Sequence, residues 1–252
     1  MDRVKSSQQK MKELGVKADA GLAVTDADFQ ESYDRFLFGE VFYKGALTDK
    51  QRELITLVVL TANQLFPQLK EHVEIALNAG VTPLEIKEAI YHSAPYAGYP
   101  RAINALNIVN EVFKAKKIAM PFPSQQRVTE SDRYDKGLAV EVQLGGQFVV
   151  DRLNNAPKNI KHFYEYLAAW CFGDFFTRSG LDLKTREMLT LSIILSLGGC
   201  DNQVKGHIKN NITVGNDKET IIAAFTQCMP YIGCPRTLNA LTALNEVLPE
   251  NK

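Results

Sequence analysis

Two glutamate–histidine pairs are the first residues whose types and spacing suggest chemistry. Glu53 and His72 lie 19 residues apart, and Glu187 and His207 lie 20 apart. A carboxylate beside an imidazole fixes the ring's tautomer and holds its pKa where protons can be exchanged. A plain structural reading stands next to this one. Each glutamate can be a charge at a helix N-terminus or the partner of Arg52 or Arg186, with each histidine a half-buried surface residue. A second cluster lies in IYHSAPYAGYPR, which carries His92 and Tyr96, and in FTQCMPYIGCPR, which carries Gln227 and Tyr231. Gly98 and Gly233 permit a tight turn, and Pro100 and Pro235 can open the helix that follows. Backbone N–H groups and Arg101 or Arg236 near that positive helix end would suit a substrate carboxylate. The same motif also reads as a helix-to-helix turn with a packed ring.

Thiol and metal chemistry find weaker footing. The cysteines are Cys171, Cys200, Cys228 and Cys234. Cys200 precedes His207 by seven, but Gln203 stands where a CxxC would place its second thiol. Without a resolving partner, Cys200 reads as a packing residue before a redox one, and so do the others. The four histidines show no i, i+4 pairing with a carboxylate, so no metal site is expected.

These groups must be positioned by helices, and the sequence states the helices twice. PYAGYPRAINAL (95–106) returns as PYIGCPRTLNAL (230–241) at an offset of 135, and Arg52-Glu53 returns as Arg186-Glu187 at 134. His72 maps on His207 and Gly80 on Gly215, while FGEVFYKGALTDKQRE parallels FGDFFTRSGLDLKTRE. The chain is a duplicated domain. Residues 53–66 are apolar nearly all round, as in a buried helix. Pro67 opens a second helix, and Gly80 suits the left-handed position after it. Thr82 and Glu85 have capping-box spacing for a third, a role Asn216 and Glu219 are expected to share in the second copy. No run alternates as a strand does, so the expected fold class is all-α. The stretch 115–133 reads as a linker.

Composition excludes several functions. The 252 residues are 45% hydrophobic and 23% charged, with 29 basic and 29 acidic side chains. That balance gives no electrostatic case for nucleic acid or a polybasic membrane surface. The longest uncharged stretches, Leu54–Leu69 and Thr220–Pro235, have 16 residues each, short of the roughly 20 a spanning helix needs. The N-terminus lacks an apolar secretory core, and the cysteines do not form a disulfide framework. A cytoplasmic location is expected.

Arg-Glu-Leu, the His before Ala-Leu-x-x-Gly, the Glu-Ile helix and Tyr-x-Gly-x-Pro together resemble the carboxymuconolactone decarboxylase family, once in each copy. The broader superfamily includes the alkylhydroperoxidase D proteins. The resemblance implies an all-helical fold, with an extension at 1–25, copies at 26–115 and 134–250, and a linker at 116–133. It implies a pseudo-dimeric chain that assembles as a homotrimer and acts on a small molecule, without cofactor or metal. In the peroxidase branch a Glu and a His relay protons to a CxxC, and the two pairs fall on those positions. The missing CxxC favours the decarboxylase branch over a thiol-dependent peroxidase, with a non-catalytic binding protein as a third possibility. On the decarboxylase reading, Glu53 orients His72 as acid, His92 and Tyr96 donate to an oxyanion, and Arg101 holds a carboxylate. Glu187 and His207, with Gln227 in place of His92 and with Arg236, make the second copy the less active one.

Overall fold

The computed structural model describes residues 2–17 and 21–250, and among them every regular element is helical. Helix α1 (Arg3–Leu14) and α2 (Ala27–Leu37) lead into the first copy. That copy consists of α3 (Asp49–Asn63), α4 (Phe66–Asn78), α5 (Pro83–His92) and α6 (Tyr99–Ala115). The segment 118–129 has no regular structure. Helix α7 (Arg133–Gly145) and a π-helical stretch, Leu167–Phe176, precede the second copy. Its helices are α8 (Leu183–Leu197), α9 (Asp201–Thr213), α10 (Lys218–Ile232) and α11 (Cys234–Val247). No helix among the described residues is long and apolar enough to cross a membrane.

The apolar sequence of α3 has the expected consequence: every residue from Arg52 to Ala62 is buried. Its counterpart α8 is buried from Arg186 to Ser196. The two helices pack on each other, and one hydrophobic core runs through both copies. This arrangement follows from the lack of a polar face, since a helix apolar all round must be covered on every side. Neither copy covers its own central helix alone. Helix α10 of the second copy packs on α3, while α5 and the turn Ala94–Ala97 of the first copy pack on α8.

Local signals set the helix ends. Thr48 with Gln51 and Thr82 with Glu85 form complete capping boxes. In the second copy the cap of α10 is Asp217, which accepts from the Thr220 N–H at 2.8 Å. Asn216, expected there, is instead buried and donates to the Lys184 carbonyl at 2.9 Å. The carboxylate one residue later takes the free N–H, and Asn216 bonds in the interior instead.

The repeat reaches further than the shared motifs. A Cβ on Gly39 would lie 2.3 Å from the Arg3 carbonyl oxygen, and one on Gly173 would lie 2.3 Å from that of Arg133. Arg3 pairs with Glu40 at 2.9 Å, and Arg133 pairs with Asp174. Helix α1 therefore docks on the first copy as α7 docks on the second. The N-terminal stretch, read from sequence as an extension, occupies the place of the second copy's lead-in helix.

Candidate active site

Each glutamate–histidine pair forms because α3 and α4, or α8 and α9, are joined by a short connection and lie side by side. Glu53 Oε2 is 2.9 Å from His72 Nδ1, with both side chains out of solvent. Glu187 Oε2 is 2.7 Å from His207 Nδ1, with His207 16% exposed. An ionised carboxylate can only accept, so Nδ1 carries a proton in each pair and Nε2 is the working nitrogen. The other oxygens, Glu53 Oε1 and Glu187 Oε1, are buried with no hydrogen-bond partner in the protein. A half-satisfied buried carboxylate is unfavourable to folding.

The partner of each Nε2 side comes from the other copy. The Tyr231 hydroxyl of α10 lies 3.3 Å from His72 Nε2, and the two rings meet edge-on at 85°. Tyr96 meets His207 at the same 85°, with ring centres 6.1 Å apart. The chains of contact then run in parallel. Behind Tyr231 stands Thr56, which accepts from Gln227 Nε2 at 3.1 Å, and Gln227 Oε1 accepts from Arg52 at 3.3 Å. Behind Tyr96 stands Thr190, whose hydroxyl lies 2.8 Å from His92 Nε2, and His92 Nδ1 lies 3.4 Å from Arg186 Nη1. His92 and Tyr96 therefore belong with Glu187 and His207, whereas Gln227 and Tyr231 belong with Glu53 and His72. The grouping of Glu53, His72, His92 and Tyr96 within one copy is corrected. Reading each copy as self-contained missed the exchange, because the helix that follows the pair is needed to cover the other copy's central helix.

The arginines of the Tyr-x-Gly-x-Pro turn sit elsewhere. Arg101 donates to the Ala62 carbonyl at 2.6 Å, and Arg236 donates to Asn63 Oδ1 at 3.0 Å and to the Ser196 carbonyl. They hold the unsatisfied carbonyls at the ends of α3 and α8, a usual task for basic groups at helix C-termini. Sequence reasoning had assigned them a substrate carboxylate. Thr56, Thr190 and Tyr33, by contrast, went unnoticed, since one hydroxyl on an apolar helix carries no distinguishing signal. Cys200 is partly exposed and donates to the Gly198 carbonyl at 3.5 Å. Burial pushes the Cys171 and Cys228 thiols up to about 12, far from a reactive thiolate.

The electrostatics differ between the ring systems. Burial opposes charge on His72, but the charge of Glu53 and its hydrogen bond outweigh that and hold the imidazole above its ordinary range. Burial, then the neighbouring Arg186 charge, holds His92 well below it. Burial likewise keeps Tyr96 and Tyr231 protonated, well above the usual phenol range.

His92 is thus neutral in the fold and binds a proton more readily when unfolded. Its stabilisation is complete above an unfolded pKa of about 6.5 and is lost as pH falls through the lower folded value. His92→Gln, which installs the residue of the other copy, is expected to flatten this acid limb. Urea midpoints at about pH 7 and about pH 5 should converge in the variant relative to the unchanged chain.

Tyr231, the tyrosine of the first pair, lines a cavity. A space of about 310 Å³ is lined by Tyr33, Tyr231, Gln30, Gln68, Glu71 and Lys17, among others. Tyr33 and Tyr231 line it together. At the second pair, Phe176 packs on His92 with ring centres 4.8 Å apart, and Cys171 lies 3.6 Å from the Tyr96 hydroxyl.

An all-helical tandem fold with paired, buried Glu–His–Tyr sites shared between copies defines the class of this protein. The sequence profile of the carboxymuconolactone decarboxylase family matches residues 27–111 and again 161–246. The chain belongs to that family. It is 40% identical over 92 residues to a 4-carboxymuconolactone decarboxylase of Acinetobacter baylyi, covering 36% of this chain and 69% of that protein. It is 37% identical over 82 residues to nitrosuccinic acid decarboxylase npaB of Metarhizium robertsii, covering 32% of this chain and 57% of that protein.

Proposed function

We propose that this protein decarboxylates a small organic acid that holds its own electron pair once carbon dioxide leaves. The observation that carries the reading is the buried relay Glu53–His72–Tyr231 ending at the wall of a cavity. The acids for which these relatives are named share the needed chemistry. In 4-carboxymuconolactone the departing carboxylate is conjugated through a ring double bond to the lactone carbonyl. In nitrosuccinate a carboxylate sits on the carbon that bears the nitro group. The carbon–carbon bond breaks, its electron pair moves into the lactone or nitro oxygens, and one proton must then reach carbon.

The chain's residues can supply that proton and stabilise the oxyanion. Tyr231 faces the cavity and His72 lies behind it. The Tyr231 hydroxyl gives its proton to substrate carbon, His72 Nε2–H restores it, and Glu53 stabilises the charged ring. Tyr33, in the same cavity lining as Tyr231, is the proposed donor to the developing oxyanion. At the second pair Tyr96 meets His207 only edge-on, without the hydroxyl–imidazole hydrogen bond of the first, and Phe176 and Cys171 pack on His92 and Tyr96. The first pair is therefore proposed as the working one, now with its tyrosine from the second copy. A thiol peroxidase reading lacks a CxxC, and the two buried thiols are held protonated.

Carbon dioxide release from 4-carboxymuconolactone and from nitrosuccinate tests the proposal. Tyr231→Phe is expected to lower kcat by about 10²-fold while changing KM little, since the lost group acts on the transferred proton. No release from either acid, or full activity in the variant, would overturn it.

A further inference from the structure

A cavity larger than the one at Tyr231 lies elsewhere among the described residues. It encloses about 1130 Å³ between α5, α6 and the connecting segment 117–124. One wall is apolar and aromatic, with Tyr91, Ile118, Met120, Phe122 and Phe175. The lining also carries cations, Lys87, Lys114, Lys117 and Arg178, with the single carboxylate of Glu88. That carboxylate is already fully engaged. Arg178 Nε lies 3.0 and 2.9 Å from its two oxygens, and Arg186 Nη2 lies 3.1 Å from Oε2.

Lys87 is the informative member. It is only 7% exposed, on a helix whose other face is core. Its ammonium donates to Asn110 Oδ1 and lies 5.9 Å from the Phe113 ring centre. Among the described residues no carboxylate lies within ion-pair distance of it. The same holds for Lys114 and Lys117, although Lys116 between them pairs with Glu74 at 2.8 Å. A buried ammonium without an anion is unfavourable to folding. Three uncompensated cations converging on one cavity make a site whose missing component is negative. The aromatic wall requires that the anion carry a flat apolar body.

We propose that this cavity is a second ligand site, separate from the Glu–His–Tyr relays, which takes an aromatic organic anion with its carboxylate or phosphate on Lys87, Lys114 and Lys117. The connecting segment between the copies supplies part of the apolar wall, so the site exists only because the two copies are fused in this order. Its floor is continuous with the second relay, since Glu88 joins Arg178 to Arg186 and Arg186 adjoins His92.

Isothermal titration of the full chain with 2-naphthoate, 2-naphthyl phosphate and uncharged 2-naphthol tests the proposal. At least one anion should bind once per chain, and at least tenfold tighter than naphthol. The tighter of the two identifies carboxylate or phosphate as the recognised group. Lys87→Met should weaken that binding about tenfold. The double variant Lys114→Met/Lys117→Met, at exposed positions where folding is not at stake, should weaken it severalfold and reduce its salt dependence. His72→Ala should leave the affinity unchanged. Naphthol binding as tightly as the anions, no binding by either anion, unchanged affinity in the double variant, or a loss in His72→Ala would each overturn the proposal. No readout here depends on decarboxylation, so failure of this site and failure of the proposed activity are separate results.

Discussion

Replacing His72 by alanine is expected to lower kcat for decarboxylation by about 10²–10⁴-fold, the range for losing a positioned proton donor. The effect should be large because no other donor can replace the ring. Its Nδ1 faces Glu53 in a site without solvent, and its Nε2 faces the hydroxyl of Tyr231, which lines the cavity. Glu53→Gln keeps the shape but loses the charge that raises the imidazole. Activity that depends on the protonated ring should therefore fall at lower pH in this variant than in the parent chain. In the parent, it should fade as pH rises through the elevated His72 value. Carbon dioxide release across the pH range measures both. His207→Ala serves as the comparison, and an equal loss there would place the reaction in both copies. A His72→Ala chain with undiminished activity would remove the relay from the mechanism.

The largest expected effect on stability lies in the other half of the molecule. Glu88→Ala should destabilise the fold by about 3–5 kcal/mol, the cost of breaking a buried pair and leaving a charge without its partner. Glu88 and Arg186 are both fully buried, and Arg178 adds a second guanidinium to the same carboxylate. Without Glu88, Arg186 retains the Arg178 carbonyl at 2.9 Å and the distant His92 ring. The first copy shows how a buried arginine is held without an acid. Arg52 donates to the Val41, Lys44 and Gly45 carbonyls at 3.0, 2.8 and 3.3 Å as well as to Gln227. Ala223 stands there where the repeat would put the counterpart of Glu88. Arg186 lacks that full set of carbonyls, so the acid cannot be dispensed with. Urea unfolding of Glu88→Ala measures the difference, and a loss below about 1 kcal/mol would show that the network is not what stabilises this half.

Much of this protein is determined by its sequence alone. The all-helical class, the duplication and the meeting of Glu53 with His72 and of Glu187 with His207 follow from helical periodicity and a repeated motif. Those contacts lie within one hairpin, where connection length alone brings two helices together. The family likewise follows from the residues that both copies share. What only the tertiary structure decided is which tyrosine faces which histidine. A central helix that is apolar on every side cannot be covered by its own copy, so the copies exchange helices and Tyr231 arrives at His72 from 159 residues away. The same burial demand turned Arg101 and Arg236 to helix carbonyls, set α1 in the place of a lead-in helix, and closed a cation-lined cavity under the connecting segment. Short-range order is written in spacing, whereas long-range pairing depends on which surfaces must be removed from water together.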